Sequence, residues 1–475
     1  MGTPAVVLEV PVAAGDVDLL ALHEHRPARY PVLLETAALA SGAETQYDWL
    51  LIAAPESANF RTHEWRVSKE DVIARRLTGP RFLSELDTLH AAAADCHGPV
   101  AHGALPFVGG FFVYAAYELA GEVEPVLRLP LLEGDLIAAL LPIAGAIVRH
   151  HGSGQLQVVA LPAYAALANA VLADVLASTS RALRAVPDLT VNEARRVTEE
   201  EPERFIANVE RGLQAITAGE VYQTNLSRAW HTQLLPGESA AALYHRLRGA
   251  NPGPFAGIAR LPGLSVLSTS PERLVRVRGL KIDTRPIAGT RPRRLGDAAA
   301  DAALAAELRA HPKEQAEHVM LVDLERNDLG RLCEPGTVEV DEFMVLEHYA
   351  HVHHIVSNVR GIRRPDTTPG QVLRAVFPGG TITGCPKVRC MQLIADLEGV
   401  PRGAYTGTMG WLGLDGDMDL NILIRTAAVT TAGIVSVRAG AGIVADSVPL
   451  LELAETRAKA RGLLRGLGVR LDDPA

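Results

Sequence analysis

The stretch LNILIRTAAVTTAGIVSVRAGAGIV, residues 420–444, contains two runs of apolar and β-branched residues separated by the short segment TTAG. Runs of this composition predict strands, and a short connection containing glycine predicts that the two strands pair as an antiparallel hairpin. Further strand pairs with short connections recur along the second half of the chain. The sequence therefore predicts an α+β fold in which antiparallel β-sheets stack as a sandwich with helices packed outside.

The whole chain divides into two predicted domains. Residues 1–190 mix short β-type runs, such as YDWLLIAAP from Tyr47, with helical stretches, and residues 200–470 form the larger second domain. The boundary falls within the charged segment VPDLTVNEARRVTEEEPER, in which Thr198 and Glu201 fit a capping box for the next helix. Helical spacing predicts helices at 81–95, 163–185, 201–218, 298–326, 369–376, 386–398 and 449–466.

Composition excludes several functional classes. The 475 residues carry 46 basic and 55 acidic side chains, a net charge of −9, so nucleic acid and acidic membranes are not expected partners. The longest apolar run, LIAALLPIAGAIV from Leu136, contains Pro142 and is shorter than the ~20 residues that span a bilayer. The N-terminus does not resemble a signal peptide, and the four cysteines fit free thiols. A cytoplasmic location is expected.

A glycine-rich loop is the first candidate binding element. The loop FPGGTITGCPK, residues 377–387, has the first half of a P-loop pattern but lacks the lysine and hydroxyl residue that complete it. A hydroxyl-bearing loop that enters a helix still attracts anions, because the N–H groups of the first helical turn are free. Pro386 at the first helical position and Lys387 beside it strengthen this interpretation. A carboxylate would fit as well as a phosphate.

Two helices each carry a pair of carboxylates three residues apart. Glu314 precedes Glu317 in one helix, and Glu452 precedes Glu455 in the other. Spacing of this kind places each pair on one helical face, where like charges need a compensating cation or solvent. Solvation is the simpler explanation, whereas a shared Mg²⁺ would use the carboxylates together with water and an anionic substrate.

Other residues indicate anion binding or proton transfer. Arg425 ends the apolar run LNILIRT and needs a carboxylate, either from the protein or from a ligand. Gly440 and Gly442 lie in an AGAG segment, read as a turn, that permits close backbone approach to a ligand. Lys459 lies one helical turn after Glu455, and His354 is either a core histidine or a general acid/base.

Taken together, these motifs resemble one family. The motifs occur in a fixed order, and they cover residues 203–466: PIAGTRPR, KEQAEHVMLVDLERNDLGR, HVHHIVSNVRG, FPGGTITGCPKVRCM, RGAYTGTMGW, IRT, AGAGIVADS and ELAETRAKA. The combination resembles the chorismate-utilising enzymes, which include anthranilate synthase component I, aminodeoxychorismate synthase component I, and the isochorismate and salicylate synthases. The resemblance implies a sandwich fold, chorismate as the substrate and an essential Mg²⁺.

The resemblance also implies roles for individual residues. Glu317 and Glu455 match metal-binding positions, with Glu314 and Glu452 as neighbours acting through water, and His354 matches the residue that assists loss of the ring hydroxyl. Gln223 stands where the family members that use water carry a lysine, which favours ammonia as the nucleophile. Substrate-binding positions are matched by Gly289, Thr290, Thr383, Lys387, Tyr405, Arg425, Gly440, Ala441, Gly442 and Lys459.

The choice between the two ammonia-using members rests on conflicting signals. Stretches such as YQTNLS, NPGPF and PFVGGFFVYAAYEL favour aminodeoxychorismate synthase, whereas Ala288 stands where many of those enzymes carry a nucleophilic lysine and so favours anthranilate synthase. A separate glutamine amidotransferase subunit is implied as the ammonia source. Leu34, Glu35 and Thr36 resemble an amino-acid effector pocket or form a buried strand. A non-catalytic regulator that binds chorismate or an amino acid is the alternative from another class.

Overall fold

A computed structural model describes residues 2–37, 47–57, 60–78, 82–180, 195–294, 296–349 and 352–469. The strands are β1 (Thr3–Pro4), β2 (Val6–Glu9), β3 (Val32–Glu35), β4 (Tyr47–Ala53), β5 (His63–Arg66), β6 (Val100–Ala101), β7 (Gly110–Ala115), β8 (Leu136–His150), β9 (Leu156–Ala160), β10 (Thr198–Glu199), β11 (Gln223–Gln233), β12 (Phe255–Leu261), β13 (Leu264–Ser270), β14 (Arg273–Arg278), β15 (Lys281–Arg285), β16 (Ile287–Pro292), β17 (Glu339–His348), β18 (Val352–Ile362), β19 (Gly384–Cys385), β20 (Thr408–Gly413), β21 (Met418–Asn421), β22 (Thr426–Thr430) and β23 (Ile434–Ile443). The helices are α1 (Leu19–His25), α2 (Lys69–Ala74), α3 (Phe82–His97), α4 (Ala120–Val123), α5 (Ala165–Ser180), α6 (Pro202–Thr217), α7 (Ala240–Ala250), α8 (Ala298–Ala310), α9 (Pro312–Gly330), α10 (Pro369–Val376), α11 (Lys387–Glu398) and α12 (Pro449–Gly466).

The predicted hairpin forms, but only its second half was placed correctly. β22 and β23 pair antiparallel, with Ala427 opposite Val437 and Val429 opposite Val435. The run LNILIRTAAV is not one strand, because β21 ends at Asn421 and β22 begins at Thr426. Arg425, in the gap, has a φ of 53°, a left-handed conformation that departs from the extended backbone of a regular strand. The apolar run continues across the gap between β21 and β22, so the sequence gives no sign that the strand is interrupted there.

The α+β fold with stacked antiparallel sheets is confirmed. Within the described residues, 21 strands form one hydrogen-bonded network, and β1 and β6 form a separate parallel pair. In the 21-stranded network, a continuous series of neighbouring strands can be followed, and every neighbouring pair in it is antiparallel. The order of this series is β11, β23, β22, β13, β12, β3, β4, β8, β7, β20, β21, β14, β15 and β18. The strands from the first half of the chain thus link two groups of strands from the second half.

Both faces of the central strands are buried. On β13, Val266 and Leu267 point to opposite faces and belong to different clusters of buried apolar side chains. Each such side chain contributes roughly 1.5–3 kcal/mol of burial free energy. The apolar run that begins at Leu136 is the long strand β8, which is paired along both edges. No helix in the described part of the chain is both long enough and apolar enough to cross a membrane.

Two helix predictions were wrong in detail. The helix expected at 298–326 is divided into α8 and α9, because Pro312 begins a new helix and the His311 side chain accepts the Glu314 N–H. The predicted capping box does not form. Glu201 precedes α6, but its side chain makes no capping hydrogen bond, and Thr198 lies in β10, where it pairs with His231 of β11. Thr198, which the sequence pattern assigned to the start of the helix, is therefore part of a strand.

The division into domains 1–190 and 200–470 stays a prediction. Residues 181–194, which include the end of the first domain, lie outside the described part of the chain. The two segments share sheet hydrogen bonds, since β3 pairs with β12 and β7 pairs with β20.

Candidate active site

One wall of the candidate site is the strand pair β11 and β23. Gly440 and Gly442 lie inside β23, so the strand predicted for the run IVSVRAGAGIV is confirmed and the turn interpretation of AGAG was wrong. A Cβ on Gly442 would lie 2.5 Å from Gln223 Nε2, and a Cβ on Gly440 would lie 2.7 Å from Asn225 Oδ1 and 2.8 Å from the Tyr405 hydroxyl oxygen. Glycine is therefore required for this close packing. The Ala441 side chain points the other way, into the core.

Two amide oxygens on this wall accept no hydrogen bond from the described residues. Gln223 and Asn225 share a face of β11, and Gln223 Oε1 and Asn225 Oδ1 are both buried. An unsatisfied buried acceptor costs about 1–3 kcal/mol, so such atoms point to a missing donor. A ligand with N–H or O–H groups would supply it.

A second wall is built by β16 and β18. The strand pairing is interrupted between Ala288 and Thr290, and Gly289 sits in that bulge with a φ of 63°. His354 Nδ1 lies 3.1 Å from the Gly289 carbonyl oxygen and 3.1 Å from Thr290 Oγ1. Because a carbonyl can only accept, Nδ1 carries the proton and Nε2 is the free acceptor of the neutral ring.

The environment of His354 keeps it neutral. Burial is the largest cause that lowers its pKa, to about 4, and the Arg425 guanidinium lowers the pKa further, against the opposing hydrogen bond that His354 donates to the Gly289 carbonyl oxygen. The lowered pKa favours the neutral ring near pH 7, whose Nε2 can accept a proton, and the predicted role of His354 in loss of the ring hydroxyl stays a prediction. The Tyr349 ring packs edge-on against it, with ring centroids 5.6 Å apart, which fixes the imidazole plane.

Arg425 is a cation that pairs with no anion among the described residues. Its side chain is partly buried, and none of the described carboxylates pairs with its guanidinium. Burial lowers the pKa of this arginine, with the Tyr405 hydroxyl opposing the shift. The backbone carbonyl of Arg425 accepts from the Thr269 N–H at 3.1 Å and from Thr269 Oγ1 at 3.0 Å, which holds the left-handed conformation. Such a fixed, unpaired guanidinium suits a ligand carboxylate.

Lys459 and Tyr405 connect these walls. Lys459 Nζ donates to the Gly440 carbonyl oxygen at 3.1 Å and pairs with Glu455 Oε1 at 2.6 Å. Tyr405 is buried, and its hydroxyl oxygen lies beside Gly440. Strand β23, the Arg425 segment and helix α12 therefore meet at one place.

The two carboxylate pairs approach the site from different helices. Glu314 Oε2 would lie 2.8 Å from a Cβ on Gly289, and Glu314 Oε1 pairs with Arg291 Nη1 at 3.2 Å. Glu317 is partly buried, Glu452 is buried, and the Glu455 side chain is 46% exposed. Among the described residues, no three His, Cys, Asp or Glu side chains form a preformed metal cluster. Mg²⁺ does not require one, because it binds through one or two carboxylates and retains water or substrate oxygens.

The polar side chains of the loop 377–387 that were predicted to bind substrate contact other groups of the protein. Thr383 Oγ1 donates to the Gly379 carbonyl oxygen at 2.9 Å, and Lys387 Nζ pairs with the buried Asp328 of α9. Pro386 is the residue before the helix and not its first residue, because α11 begins at Lys387. The loop thus anchors α9, and the predicted contacts of Thr383 and Lys387 with substrate stay predictions.

Sequence reasoning missed a buried acid beside this loop. Glu272 lies between β13 and β14, is 4% exposed, and faces Thr381, the Ile287 N–H and Lys459. Burial is the main cause that raises its pKa, to about 8, and the nearby Glu325 raises it further. Glu272 is therefore protonated near pH 7. A single acidic residue inside the apolar stretch SVLSTSPERLVRV was the available signal.

The suggested effector residues lie on β3 and beside it. Glu35 is buried, pairs with Arg248 Nη1 at 2.6 Å and accepts from the Tyr244 hydroxyl at 2.8 Å. The Thr36 N–H donates to Asp48 Oδ1 at 2.9 Å, and Leu34 pairs with Gly257 across the strands. These contacts explain burial of the segment, and an effector role stays a prediction.

Comparison with known proteins places the chain in a family. Residues 39–465 match the chorismate binding enzymes. The chain is 38% identical to anthranilate synthase component 1 of Thermus thermophilus over 467 residues, 97% of this chain and 96% of that protein. It is 41% identical to aminodeoxychorismate synthase component 1 of Bacillus subtilis over 372 residues, 76% and 77% of the two chains. Two other matches, at 48% and 47% identity, span only about half the length of those relatives, 54% and 51%.

The fold comparison agrees. The crystal structure of anthranilate synthase component I from Streptococcus pneumoniae superposes with a TM-score of 0.69 at 29% identity, covering 86% of this chain and 93% of that one. The chain therefore belongs to the family of chorismate binding enzymes, close to component I of anthranilate synthase.

Proposed function

We propose that this protein is component I of an aminodeoxychorismate synthase, which converts chorismate and ammonia to 4-amino-4-deoxychorismate and water. The observation that carries a dicarboxylate substrate is Arg425, a partly buried guanidinium to which no described carboxylate is paired. Gln223 supports ammonia as the nucleophile, because its neutral amide accepts a hydrogen bond but cannot deprotonate water. The stretches YQTNLS and NPGPF and the Bacillus subtilis relative favour the 4-amino product.

The proposed binding mode uses groups already in place. Arg425 binds one carboxylate of chorismate, and Lys459, released from Glu455, faces the other end of the site. Gly440 and Gly442 let the side chains of Gln223, Asn225 and Tyr405 pack against β23, which holds these polar groups at the site. Gln223 Oε1 and Asn225 Oδ1 accept N–H groups of ammonia, which satisfies both buried oxygens.

Mg²⁺ is proposed as the ion bound by the remaining carboxylates. Glu317 and Glu455 would hold the ion, with Glu314 and Glu452 acting through water. The bound ion would neutralise a substrate carboxylate and so reduce the repulsion that this anion meets beside four glutamates.

The proton transfers balance with side chains of this chain. Ammonia forms a C–N bond to the ring while the bond from the ring to its hydroxyl oxygen breaks. Glu272, protonated near pH 7, donates a proton so that the hydroxyl leaves as water. His354 Nε2 accepts the proton that the new ammonium group releases, since the neutral ring has its other proton at Nδ1.

A separate glutamine amidotransferase subunit is proposed as the ammonia source. The relatives named component 1 imply a second component, and free ammonia at high concentration would replace it in the assay.

Anthranilate synthase is the second candidate. Ala288 has no nucleophile with which to form a covalent ring adduct, and direct addition of ammonia at ring position 2 leads to anthranilate with loss of pyruvate. The relative that matches 97% of this chain also carries that name.

Product analysis tests the proposal. The protein is incubated with chorismate, ammonium chloride and Mg²⁺, with and without a lyase that releases 4-aminobenzoate from 4-amino-4-deoxychorismate. Appearance of 4-aminobenzoate only with the lyase supports the proposal. Fluorescent anthranilate with pyruvate, formed without the lyase, supports the second candidate. No consumption of chorismate would instead indicate the non-catalytic regulator.

Removing either proposed metal ligand should raise the Mg²⁺ requirement. Glu317→Gln and Glu455→Gln are each expected to increase the Mg²⁺ concentration for half-maximal rate at least about tenfold, because an anionic ligand is lost. A titration of initial rate against Mg²⁺ measures this. Asp446→Asn, an exposed acid just before α12, is the control. An unchanged requirement in both variants would overturn the assignment.

A further inference from the structure

One edge of β11 lacks a neighbouring strand at the candidate site. β19 pairs with this strand only at residues 223–224, and β10 pairs with it only at residues 230–231. Within the described part of the chain, no strand pairs with the same edge at residues 225–229. The backbone N–H and carbonyl groups of Asn225 and Ser227 on this edge therefore need partners of another kind.

The side chains of a buried ion pair fill this gap. Arg402 Nη2 donates to the Asn225 carbonyl oxygen at 2.7 Å. Glu398 Oε1 accepts the Ser227 N–H at 2.8 Å. The Asn225 N–H donates to the Thr383 carbonyl oxygen at 2.9 Å. Arg402 and Glu398 thus make the hydrogen bonds that the next residues of a neighbouring strand would make.

The two residues of the pair hold each other in a fixed geometry. Arg402 Nη2 and Nε donate to the two carboxylate oxygens of Glu398 at 2.7 and 3.0 Å, which is a bidentate arrangement. Arg438 of β23 donates to Glu398 Oε2 at 3.0 Å from the other side. All three side chains are buried, so solvent does not compete for these contacts. The position of the Arg402 guanidinium is therefore closely defined.

The same guanidinium reaches two further segments of the site. Its Nη1 donates to the Ile382 carbonyl oxygen, in the loop 377–387, at 3.2 Å. Its central carbon lies 4.9 Å from the centroid of the Tyr117 ring and 5.7 Å from that of the Tyr405 ring. The planar fork of Arg402 therefore connects β11, the loop and the Tyr405 segment at one point.

This connection ends at an atom assigned to ammonia. Asn225 Oδ1 is buried and accepts no hydrogen bond from the described residues. It would lie only 2.7 Å from a Cβ on Gly440, so the side chain already packs closely against β23. A shift of the β11 backbone at Asn225 would therefore displace Oδ1 from its place in the candidate site.

We propose that Arg402 is a positioning residue, which takes the place of a missing strand beside β11 and thereby holds Asn225 Oδ1 where ammonia binds. The inference rests on the proposed function for its kinetic meaning, whereas the hold on β11 is measurable without turnover. In the proposed binding mode Arg402 does not contact chorismate, whose carboxylate is assigned to Arg425. The two substrates should therefore respond differently when the guanidinium is removed.

Substrate kinetics of Arg402→Lys test the proposal. Lysine keeps a cation beside the buried Glu398, but it has no fork with which to donate to Glu398 and to the Asn225 carbonyl oxygen together. The kcat/KM for ammonia is expected to fall about 10- to 100-fold, because a misplacement of about 1 Å at reacting groups has effects of this size. The chorismate dissociation constant, measured without ammonia, should change less than about threefold. An equal loss for both substrates, or unchanged ammonia kinetics, overturns the proposal.

Arg363 supplies the matched control. It is also buried, and its Nε and Nη1 donate to the carbonyl oxygens of Gly279 and Thr367 at 2.8 and 2.7 Å. Arg363→Lys makes the same chemical change at a side chain that bridges backbone segments outside the candidate site. It should leave the kcat/KM for ammonia within about twofold of wild type. A loss as large as that of Arg402→Lys would show that any buried arginine has this effect and would contradict the proposal.

Hydrogen exchange of the free protein measures the hold on β11 directly. In Arg402→Lys, peptides that cover residues 223–229 should exchange at least about tenfold faster than in wild type, because the backbone at Asn225 loses its partner. Arg363→Lys should exchange at the wild-type rate there. This result decides the positioning role even if wild type does not consume chorismate. Wild-type exchange in Arg402→Lys overturns the proposal.

A second variant ties the kinetic effect to Asn225 and leaves the ion pair intact. Asn225→Ala removes Oδ1 and should lower the kcat/KM for ammonia while thermal stability changes little. In this background Arg402→Lys should add less than about a threefold loss, since the atom that it positions is already absent. Unchanged ammonia kinetics in Asn225→Ala, or losses that multiply in the double variant, would show that Arg402 does not act through Asn225.

Discussion

Replacing Glu272 by glutamine is expected to lower kcat of the ammonia-dependent reaction by about 10²- to 10⁴-fold, the usual range for loss of a general acid. Glutamine keeps the volume and the hydrogen-bonding groups but cannot release a proton to the leaving hydroxyl. The chorismate KM should change little, because carboxylate binding is assigned to Arg425 and Lys459. Steady-state kinetics with saturating ammonia and Mg²⁺ measure both constants.

The pH profile gives the same prediction a second readout. The pKa of Glu272 is raised to about 8, so wild-type kcat should fall as pH rises through about 8 and the protonated form is lost. The residual activity of Glu272→Gln should lack this limb. A high kcat in the variant, or an alkaline limb that persists unchanged, would exclude Glu272 as the proton donor.

Asp417 offers a matched control for Glu272. It is also buried with a raised pKa, caused mainly by burial, but its Oδ1 accepts the Gly279 N–H at 2.6 Å in the hairpin between β20 and β21. Asp417→Asn is expected to change thermal stability while leaving kcat within about twofold. The comparison separates loss of a buried carboxylate from loss of the catalytic proton.

The strand pattern was the most predictable part of the fold. The stretch YDWLLIAAP was predicted as a β-type run and contains β4 from Tyr47 to Ala53, and helices predicted at 369–376 and 449–466 are α10 and α12. These segments lie between clear turn residues, and their local preference agrees with the tertiary contacts. The periodicity of apolar residues and the positions of turn residues were therefore sufficient to predict these elements.

Backbone geometry was not predictable at the site itself. The apolar pattern around Arg425 predicted a continuous strand, yet that residue adopts a φ of 53°. The two glycines of AGAG suggested a turn, yet they lie in β23 where side chains of β11 and Tyr405 leave no room for a Cβ. Glycine is selected there by contacts between residues far apart in sequence, which a local pattern does not contain.

The buried acids were missed for a related reason. The carboxylate pairs of α9 and α12 were found because their helical spacing is visible in the sequence, whereas Glu325 and Asp328 were not singled out. Their burial depends on the loop at Gly380 and on Lys387, more than 50 residues away in the chain. Charge compensation across such distances appears only when the sheets and helices are assembled.

Replacing Arg425 by asparagine is expected to weaken chorismate binding strongly without lowering stability. A charged hydrogen bond contributes about 1.5–3 kcal/mol, so loss of the guanidinium should raise the dissociation constant roughly 10- to 100-fold. No ion pair within the described protein is lost, because none of the described carboxylates pairs with Arg425. Asparagine also tolerates the left-handed conformation at this position.

A structural role and a ligand-binding role of Arg425 predict different changes in melting temperature, which makes the test specific. A structural arginine would lower the melting temperature when removed, whereas a ligand-binding arginine held partly desolvated should leave it unchanged or raise it. Equilibrium binding of chorismate in the absence of ammonia, with Mg²⁺ present, measures the affinity apart from turnover. Thermal unfolding without ligand measures the stability.

Arg75 supplies the control, because it is an exposed arginine with a φ of 51° at the end of α2. Arg75→Asn makes the same chemical change in the same backbone conformation, remote from the candidate site, and should leave chorismate affinity unaltered. If Arg425→Asn binds chorismate within about twofold of wild type, or if it unfolds at a clearly lower temperature, the guanidinium serves the fold and the substrate carboxylate must be bound elsewhere.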